Sequence, residues 1–437
     1  MMLLKVKLDD LGKIGRGKSK HRPRDDKSLY GGAFPFIQTG DVKAANFYLT
    51  EYTQTYNENG LAQSKLWKKG TLLITIAANI GDTAILGIDA CFPDSIVGFE
   101  SYENVSDIRY VKYYLDYIKL ELKAISAGTT QDNMSLEKLL SRNLYVHGYH
   151  IQQKIASFLY AYDELIENNT QRIKLLEEMA EEIYKEWFAR LRFPGYETTK
   201  FFNIEGNEVT HNTTDALPEG WEKKPINSFV NIISGYAFKT ESFDSEGDYK
   251  LVTIKNVQDG YFVTETTDYI HEIPKNLKDD CKLKDKDIIL SLTGNIGRIC
   301  MVHGENYILN QRVAKLKPKE NSFHEFTYLM FKNKFLRATL ENLSNGAAQQ
   351  NLSPIEMGKL EFPIHKNEII TKFSKLTKSF FDEIIILYKK KQLLQQTRDL
   401  LLPRLISGKL SVEHLMEKVE EENISMAAEP GINYQTK

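Results

Sequence analysis

Lys69-Gly70-Thr71-Leu72-Leu73-Ile74-Thr75-Ile76, running on to Asn79-Ile80-Gly81, is written again in the second half of the chain. There it reads Asp285-Lys286-Asp287-Ile288-Ile289-Leu290-Ser291-Leu292, running on to Asn295-Ile296-Gly297. Each is a short apolar, β-branched run that stops at a turn, the pattern of a buried strand ending in a tight reversal. Gly81 and Gly297 are expected to supply the backbone freedom of that reversal. Two further landmarks repeat in the same order. Upstream, Phe36-Ile37-Gln38-Thr39-Gly40-Asp41-Val42 matches Leu251-Val252-Thr253-Ile254-Lys255-Asn256-Val257. Downstream, the stretch from Ser126 to Ser135, with Gly128 and Gln131, matches Ser344 to Ser353, with Gly346 and Gln349. So long a period does not suit a solenoid. It suits a duplicated domain pair.

Outward from these landmarks, the texture changes partway through each copy. The first part is short β-branched runs broken by Gly, Asn and Asp, which predicts a strand-rich α+β domain. A long helix follows. From Ile155, apolar residues recur at Leu159, Tyr162, Ile166, Ile173, Leu176, Ala180, Ile183 and Trp187, with Asn169 filling the gap. The steps alternate four and three, the spacing of a coiled-coil seam. Copy two repeats this at Phe373, Leu376, Phe380, Ile384, Leu387, Leu394, Leu401 and Leu405, with one irregular step near Phe380. Lys391 and Arg398 fall on that second seam, marking a half that packs less tightly or faces a partner. Asn169 reads either as a register device or as a solvent-facing residue on a slightly rotated helix. A helix of ~37 residues is about 55 Å long and must bury its seam against something. The cheapest partner is its own duplicate, packed antiparallel within the chain. The expected layout is a domain at 1–148, a long helix at 149–191, a linker at 192–220, a second domain at 221–366, a second long helix at 367–406 and an acidic tail at 407–437.

Composition narrows the function. The 437 residues are 42% hydrophobic, 27% charged and 11% aromatic, which excludes wholesale disorder and allows more than one core. The net charge of −2 means that any nucleic-acid face must be a local patch rather than a global field. Cys91, Cys281 and Cys300 lie far apart and form no disulfide framework, which suits a reducing compartment. No window approaches the length of apolar chain that a membrane helix needs, so the expected location is the cytoplasm, with no membrane partner.

One motif needs disarming. Gly12-Lys13-Ile14-Gly15-Arg16-Gly17-Lys18-Ser19 satisfies the P-loop pattern literally. A phosphate cradle needs a buried strand before the loop and a helix N-terminus after it. Here Lys20-His21-Arg22-Pro23-Arg24-Asp25-Asp26-Lys27 follows, without apolar periodicity. The stretch reads better as an electropositive loop suited to phosphate contact and to guanine edges. Other catalytic signatures are missing: there is no H-E-x-x-H, no zinc spacing of Cys and His, and no G-x-S-x-G. The chain reads as non-catalytic, with no metal site.

Taken together, the chain resembles the specificity (S) subunit of type I restriction-modification systems over residues 5 to about 412. Lys69–Gly81 and Asp285–Arg298 are similar to that family's G-D-apolar-run-G-x-I-G segment. Gly128–Ser135 and Gly346–Ser353 are similar to its G-x-x-Q-x-x-L-S segment, and Leu217–Trp221 to its L-P-x-G-W motif. Leu400-Leu401-Leu402-Pro403-Arg404-Leu405-Ile406-Ser407-Gly408-Lys409-Leu410 resembles its closing L-L-P-R-L-x-S-G-K-L. The chain departs from the family at Tyr145-Val146-His147-Gly148 and Phe362-Pro363-Ile364-His365, where P-L-P-P is usual. The Glu-Gln that often opens each helix is likewise altered.

The resemblance implies two tandem α+β DNA-recognition domains on an antiparallel coiled coil with pseudo-twofold symmetry. Each domain would read one half of a split, asymmetric site in double-stranded DNA. It implies two methyltransferase (M) subunits docked on the helices and restriction (R) subunits joining outside. S-adenosylmethionine, ATP and Mg are then expected on those partners and no cofactor on this chain. The assembled complex would be an adenine-specific methyltransferase and ATP-dependent endonuclease. In this family the motif residues are scaffold, while base contacts fall in variable loops. Reader candidates are therefore basic and polar loop residues: Lys18, Lys20, Arg22, Arg24, Lys43, Thr130 and Gln131 in copy one, and Lys255, Arg298, Gln311, Arg312, Gln349 and Gln350 in copy two. The rival reading is a scaffold with duplicated α+β heads that never touches DNA, and a P-loop NTPase stands third.

Overall fold

Leu72–Thr75 is buried on both faces and forms the centre of a five-stranded sheet. The sheet order is Gly12–Arg16, Ile96–Ser101, Leu72–Thr75, Thr83–Leu86, Tyr48–Leu49, antiparallel except for the last pair. In this computed structural model, which describes residues 3–126, 134–211, 213–345, 351–365 and 368–417, Ile288–Ser291 repeats the role in copy two. The order there is Val230–Ser234, Val313–Pro318, Ile288–Ser291, Ile299–Met301. A two-stranded ladder closes each domain, Leu4–Val6 with Leu144–Val146 and Trp221–Pro225 with Glu361–His365. Helices follow the sheet in matching sequence: Ile108–Tyr117, Lys119–Ser126 and Leu136–Ser141 in copy one; His324–Lys332, Lys334–Asn345 and Pro354–Lys359 in copy two. Ser135 and Ser353 cap equivalent helices, each hydroxyl accepting a third-residue amide.

The reversal after the central strand has one design in both copies. Gly81 and Gly297 sit at φ of +79° and +76°, where a side chain costs about 1–2 kcal/mol. The hydroxyls of Thr75 and Ser291 donate to the carbonyls of Asn79 and Asn295. They also accept the amides of Asp82 at 3.0 Å and Arg298 at 3.1 Å. A small hydroxyl at the strand end is thus as much part of the turn as the glycine.

The chain divides into two units, Met1–Asn168 with Leu393–Lys437, and Asn169–Gln392. The long helices are Tyr149–Tyr184, followed by a π-turn over Lys185–Ala189, and Glu368–Ile406 with Pro403 inside its last turn. Within the first unit, Ile155, Ala156 and Leu159 share a core with Leu405, Ile406 and Val412. Asp163 is ion-paired to Arg398, and Lys154 to Glu413 at 2.7 Å. Within the second, Ile173, Ala180 and Tyr184 pack with Phe373, Phe381, Ile384 and Leu387. Arg172 pairs with Glu383 at 2.8 Å, and the Phe188 and Phe373 rings lie 5.0 Å apart. In each unit ascending numbers on one helix meet descending numbers on the other, so the helices run antiparallel.

Of the expected seam, Leu159, Ile166, Asn169, Ile173, Phe373 and Leu387 are buried, and Tyr162, Leu176, Ile183, Trp187, Phe380, Leu394 and Leu401 are partly buried. Leu376 is the correction: it is 47% exposed, while Thr377 beside it is fully buried. The seam runs Phe373, Thr377, Phe381, Ile384, with the Thr377 hydroxyl satisfied by the Phe373 carbonyl at 3.0 Å. That self-contained hydrogen bond lets a polar residue take the buried position, and Phe381 rather than Phe380 accounts for the irregular step. Asn169 being buried removes its solvent-facing reading.

Two further stretches hold more structure than their composition suggests. Residues 192–220 carry a small sheet of Glu208–Val209, Phe201–Phe202 and Leu217–Pro218, with Phe193 and Phe201 buried and the Phe193 ring 5.6 Å from Trp221. The region read as an acidic tail begins as packed chain, since Val412 is 1% exposed within the first unit's core.

Each α+β domain is fastened to the helices by largely buried charge. In the first unit, Asp163 takes the Tyr113 hydroxyl on one oxygen and the Arg398 guanidinium on the other. Burial, then the Asp163 carboxylate, push the Tyr113 phenol far above its ordinary range, so it remains a donor. In the second, Lys332 reaches Glu177 at 2.8 Å and Glu181 at 2.9 Å. Burial raises the Glu177 carboxyl and Lys332 opposes that rise.

Candidate nucleic-acid interface

The P-loop resemblance dissolves in the backbone. Gly12–Arg16 is itself a strand, at the edge of the sheet. The chain then runs on with Lys18 N–H donating to Phe92 O at 3.0 Å and enters a turn rather than a helix. Ser19, which would ligate magnesium in a nucleotide site, is 5% exposed and lies 3.4 Å from the Tyr56 hydroxyl. Gly17 is glycine because a Cβ there would stand 2.3 Å from the Phe92 carbonyl oxygen.

One corner recurs in both domains. In copy one, Ile76 at the end of the central strand donates to Ser95 O at 3.0 Å and accepts the Met134 amide at 2.9 Å. In copy two, Leu292 donates to Arg312 O at 2.8 Å and accepts the Leu352 amide at 2.9 Å. The corner therefore gathers the central strand's end, the turn before the last long strand, and the segment that follows the Gly–Gln motif. Thr130, Gln131, Gln349 and Gln350 belong to that motif and lie outside the described residues.

The candidates distribute unevenly around these corners. Arg24 pairs with Asp94 at 2.6 Å, next to Ser95, which ties the basic stretch to the first corner. Arg22 folds back on the Ser19 and His21 carbonyls at 2.6 and 2.8 Å, so its guanidinium serves the loop. His21 bonds Asp26 at 2.8 Å, and the Asp26 carboxyl is held below its usual range by the Ser28 amide, the Ser28 hydroxyl and then His21. Lys18 and Lys20 are exposed. Lys43 lines instead a cavity of about 350 Å³ beside Asp82, Lys112, Asp116, Lys119 and Arg398. There Lys119–Asp82 (2.6 Å) and Lys112–Asp116 (2.7 Å) are already paired.

In copy two, Arg312 occupies the corner itself, exposed and at φ +71°, with Gln311 exposed beside it. Lys255 joins them from a neighbouring turn. Strands Tyr249–Val252 and Tyr307–Leu309 run parallel in register, so the turns that leave them, one with Lys255 and one with Gln311, start at the same end. Arg298 is withdrawn: its guanidinium donates to Gln258 at 2.6 Å. Sequence reasoning passed over Lys65, whose ammonium lies 3.1 Å from the Trp67 ring centroid, and Asp94, the partner of Arg24. The Lys65-Leu66-Trp67 interleaving of cation and aromatic was the available signal. Among the described residues, no three His, Cys, Asp or Glu are placed to hold a metal ion. Among them, no helix is long and apolar enough to cross a membrane.

A domain built twice, with one recurrent corner and an antiparallel helix pair in each unit, defines a class of duplicated α+β proteins with long helices. The family model described as Type I restriction modification DNA specificity domain matches residues 4–178 and again 218–396, and the chain belongs to that family. It is similar to the type I restriction enzyme MjaIX specificity subunit of Methanocaldococcus jannaschii, 26% identical over 94% of each chain. The HindI specificity subunit of Haemophilus influenzae is 25% identical over 92% of this chain and 98% of its own. Among solved structures, the type I system S subunit of M. genitalium shares the fold at a TM-score of 0.58 and 17% identity, over 92% of this chain and 96% of that one. The chain is accordingly a specificity subunit, the recognition component of its system rather than a catalytic one.

Proposed function

We propose that each domain reads one half of a split, asymmetric DNA site and that the helix pair sets the gap between the halves. Two methyltransferase subunits would dock along the helices, with restriction subunits outside them. Those partners would carry S-adenosylmethionine, ATP and Mg, and the complex would act in the cytoplasm. The observation that carries this reading is the corner. Its backbone hydrogen bonds are the same in both copies, while its side chains differ, with Ser95 in one and Arg312 in the other. One scaffold with two chemistries is what two independent half-site readers require.

The energetics favour doubling. A good bidentate base contact discriminates by roughly 1–3 kcal/mol, and one small domain makes few of them. Two readers on one support combine their selectivity. The test is to co-express this chain with its methyltransferase partner and map modified adenines across the host genome. One motif of two short blocks around a fixed gap is expected, and exchanging residues 221–366 for a relative's domain should change one block only. Absence of new methylation, with both proteins soluble and associated, would refute the reading.

A further inference from the structure

We propose that Lys13, Lys18 and Lys65 form a phosphate grip that belongs to the first recognition domain alone, so that this domain anchors the duplex irrespective of sequence. The inference rests on the DNA-reading role above and assigns to these three residues the sequence-independent part of it.

The three lysines converge on Trp67. Lys65 lies against the indole face at 3.1 Å, within the reach of a cation–π contact. The Lys18 carbonyl accepts the Ser64 hydroxyl at 2.7 Å, which brings Lys18 beside Lys65 along the chain. Lys13 and Gly15 share one face of the edge strand, and a Cβ on Gly15 would come within 3.0 Å of the Trp67 ring. The indole is thus a floor against which the strand lies without side-chain bulk, Lys65 rests on it, and Lys13 and Lys18 lie near enough to bear on the Lys65 charge. Lys13 and Lys18 are exposed, and no ion pair is formed by any of the three among the described residues. Burial holds the Lys65 ammonium below the ordinary lysine range, Glu100 opposes that, and Lys13 and Lys18 add to it. Cations crowded together with one acid for company gain from an anion that spans them. A duplex backbone presents such anions at regular spacing.

The duplicate shows that this is not part of the shared scaffold. The equivalent edge strand, Val230–Ser234, places Asn231 where copy one has Lys13, and Tyr236 follows where copy one has Lys18. Leu283 replaces Trp67, and the buried Cys281 replaces Lys65. All three cations and the aromatic floor are absent at once. The grip is also continuous with the first corner, because Lys18 opens the stretch that Arg24 ties to Asp94.

The experiment uses the complex of the full chain with its methyltransferase partner and two duplexes, one carrying the methylated motif and one of unrelated sequence. Dissociation constants are measured across a salt series for wild type, for Lys13→Gln, Lys18→Gln and Lys65→Gln singly and together, and for Lys65→Arg. Each Gln variant should weaken both duplexes by the same factor and lower the slope of log K against log salt by about 0.9. The triple variant should lower it by nearly three times that, and Lys65→Arg should keep the wild-type slope. The methylated motif should be unchanged, which assigns Lys18 to phosphate contact rather than to base reading. An unaltered slope in the triple variant, or a changed motif, overturns the grip. Unchanged thermal midpoints separate either result from misfolding. A complex that methylates no split motif would defeat the half-site reading, while the salt slopes on the unrelated duplex would still decide the grip.

Discussion

Arg398 is a charged residue on a mostly apolar seam, and its removal is the sharpest test of how the first domain is held. Its guanidinium is 24% exposed and the Asp163 carboxylate it meets is 9% exposed. Burial would lower the Arg398 pKa, yet Asp163 and Asp399 hold it above its usual value, so the guanidinium stays charged at any working pH. Arg398→Ala leaves Asp163 with the Tyr113 hydroxyl alone. An orphaned buried charge of this kind costs about 3–5 kcal/mol. In a unit of this size 1 kcal/mol moves the melting temperature by about 2–4 °C, so a drop on the order of 10 °C is expected. Replacing both partners, as Asp163→Leu with Arg398→Met, removes the unpaired charge as well as the bond and should recover most of that loss. The assay is a double-mutant cycle by thermal and urea unfolding on the purified chain. A cost below about 1 kcal/mol for Arg398→Ala would place the pair among solvated surface bridges and refute its role as the joint.

Other consequences are checked in the same way. Four residues inserted after Asn168 and four after Gln392 lengthen both helices by about 6 Å, and at about 3.4 Å per base pair the methylated motif should gain one or two bases in its gap with both halves unchanged. Leu376→Lys should alter stability by less than about 0.5 kcal/mol, whereas Phe373→Ala, in the buried seam, should cost about 3–5 kcal/mol in urea melts. His303 is buried with neither ring nitrogen bonded and stacks on Tyr388 at 5.0 Å, and burial pushes its pKa from 6.5 down to about 4. The unfolded chain therefore binds the extra proton first as pH falls, so the stabilisation is complete above pH 6.5 and is lost toward pH 4. The stability difference between wild type and His303→Phe should change by about 3 kcal/mol between pH 7 and pH 4, and a constant difference would contradict the assignment.

Strands, helices and duplication were legible because they rest on periodicity, which the chain writes twice. Leu72 to Ile76 and Ile288 to Leu292 could hardly be anything but buried strands, and the heptads from Ile155 declare a helix. What periodicity misses is any choice settled by a few degrees of helix rotation. Leu376 is the more apolar residue, yet Thr377 is buried, because its hydroxyl finds the Phe373 carbonyl and the neighbouring Phe381 fills the seam. The acidic tail misled in the same manner, since Val412 is buried, Leu410 and Leu415 pack beside it, and Glu413 pairs with Lys154. The candidate site was legible only as composition. A run of Arg and Lys names a loop but not which guanidinium is spoken for. Arg22, Arg24 and Arg298 are tied to Ser19 and His21, to Asp94 and to Gln258, while Lys18, Lys20, Lys255, Gln311 and Arg312 remain exposed. No spacing rule separates those two groups, because the partners of Arg24 and Arg298 lie tens of residues away and the Arg22 side chain folds back on its own loop.

The two copies also divide structure from specificity. Where they agree, the shared residue answers a local mechanical need: a hydroxyl and a glycine for the reversal, a serine for the helix cap, an apolar strand for the sheet centre. Changing any of these would disturb a domain whichever bases it reads. Where they differ at the edge strand and the corner, several of the positions are exposed, Lys13, Lys18 and Arg312 among them. Lys13, Gly15 and Lys18 against Asn231, Ile233 and Tyr236 is a difference in phosphate contact, and Ser95 against Arg312 is one in reading. A duplicated reader needs this arrangement, since two identical corners would read one half-site twice. Divergence at the corner, on a backbone frame held by the same hydrogen bonds in both copies, would let one fold recognise two unlike halves.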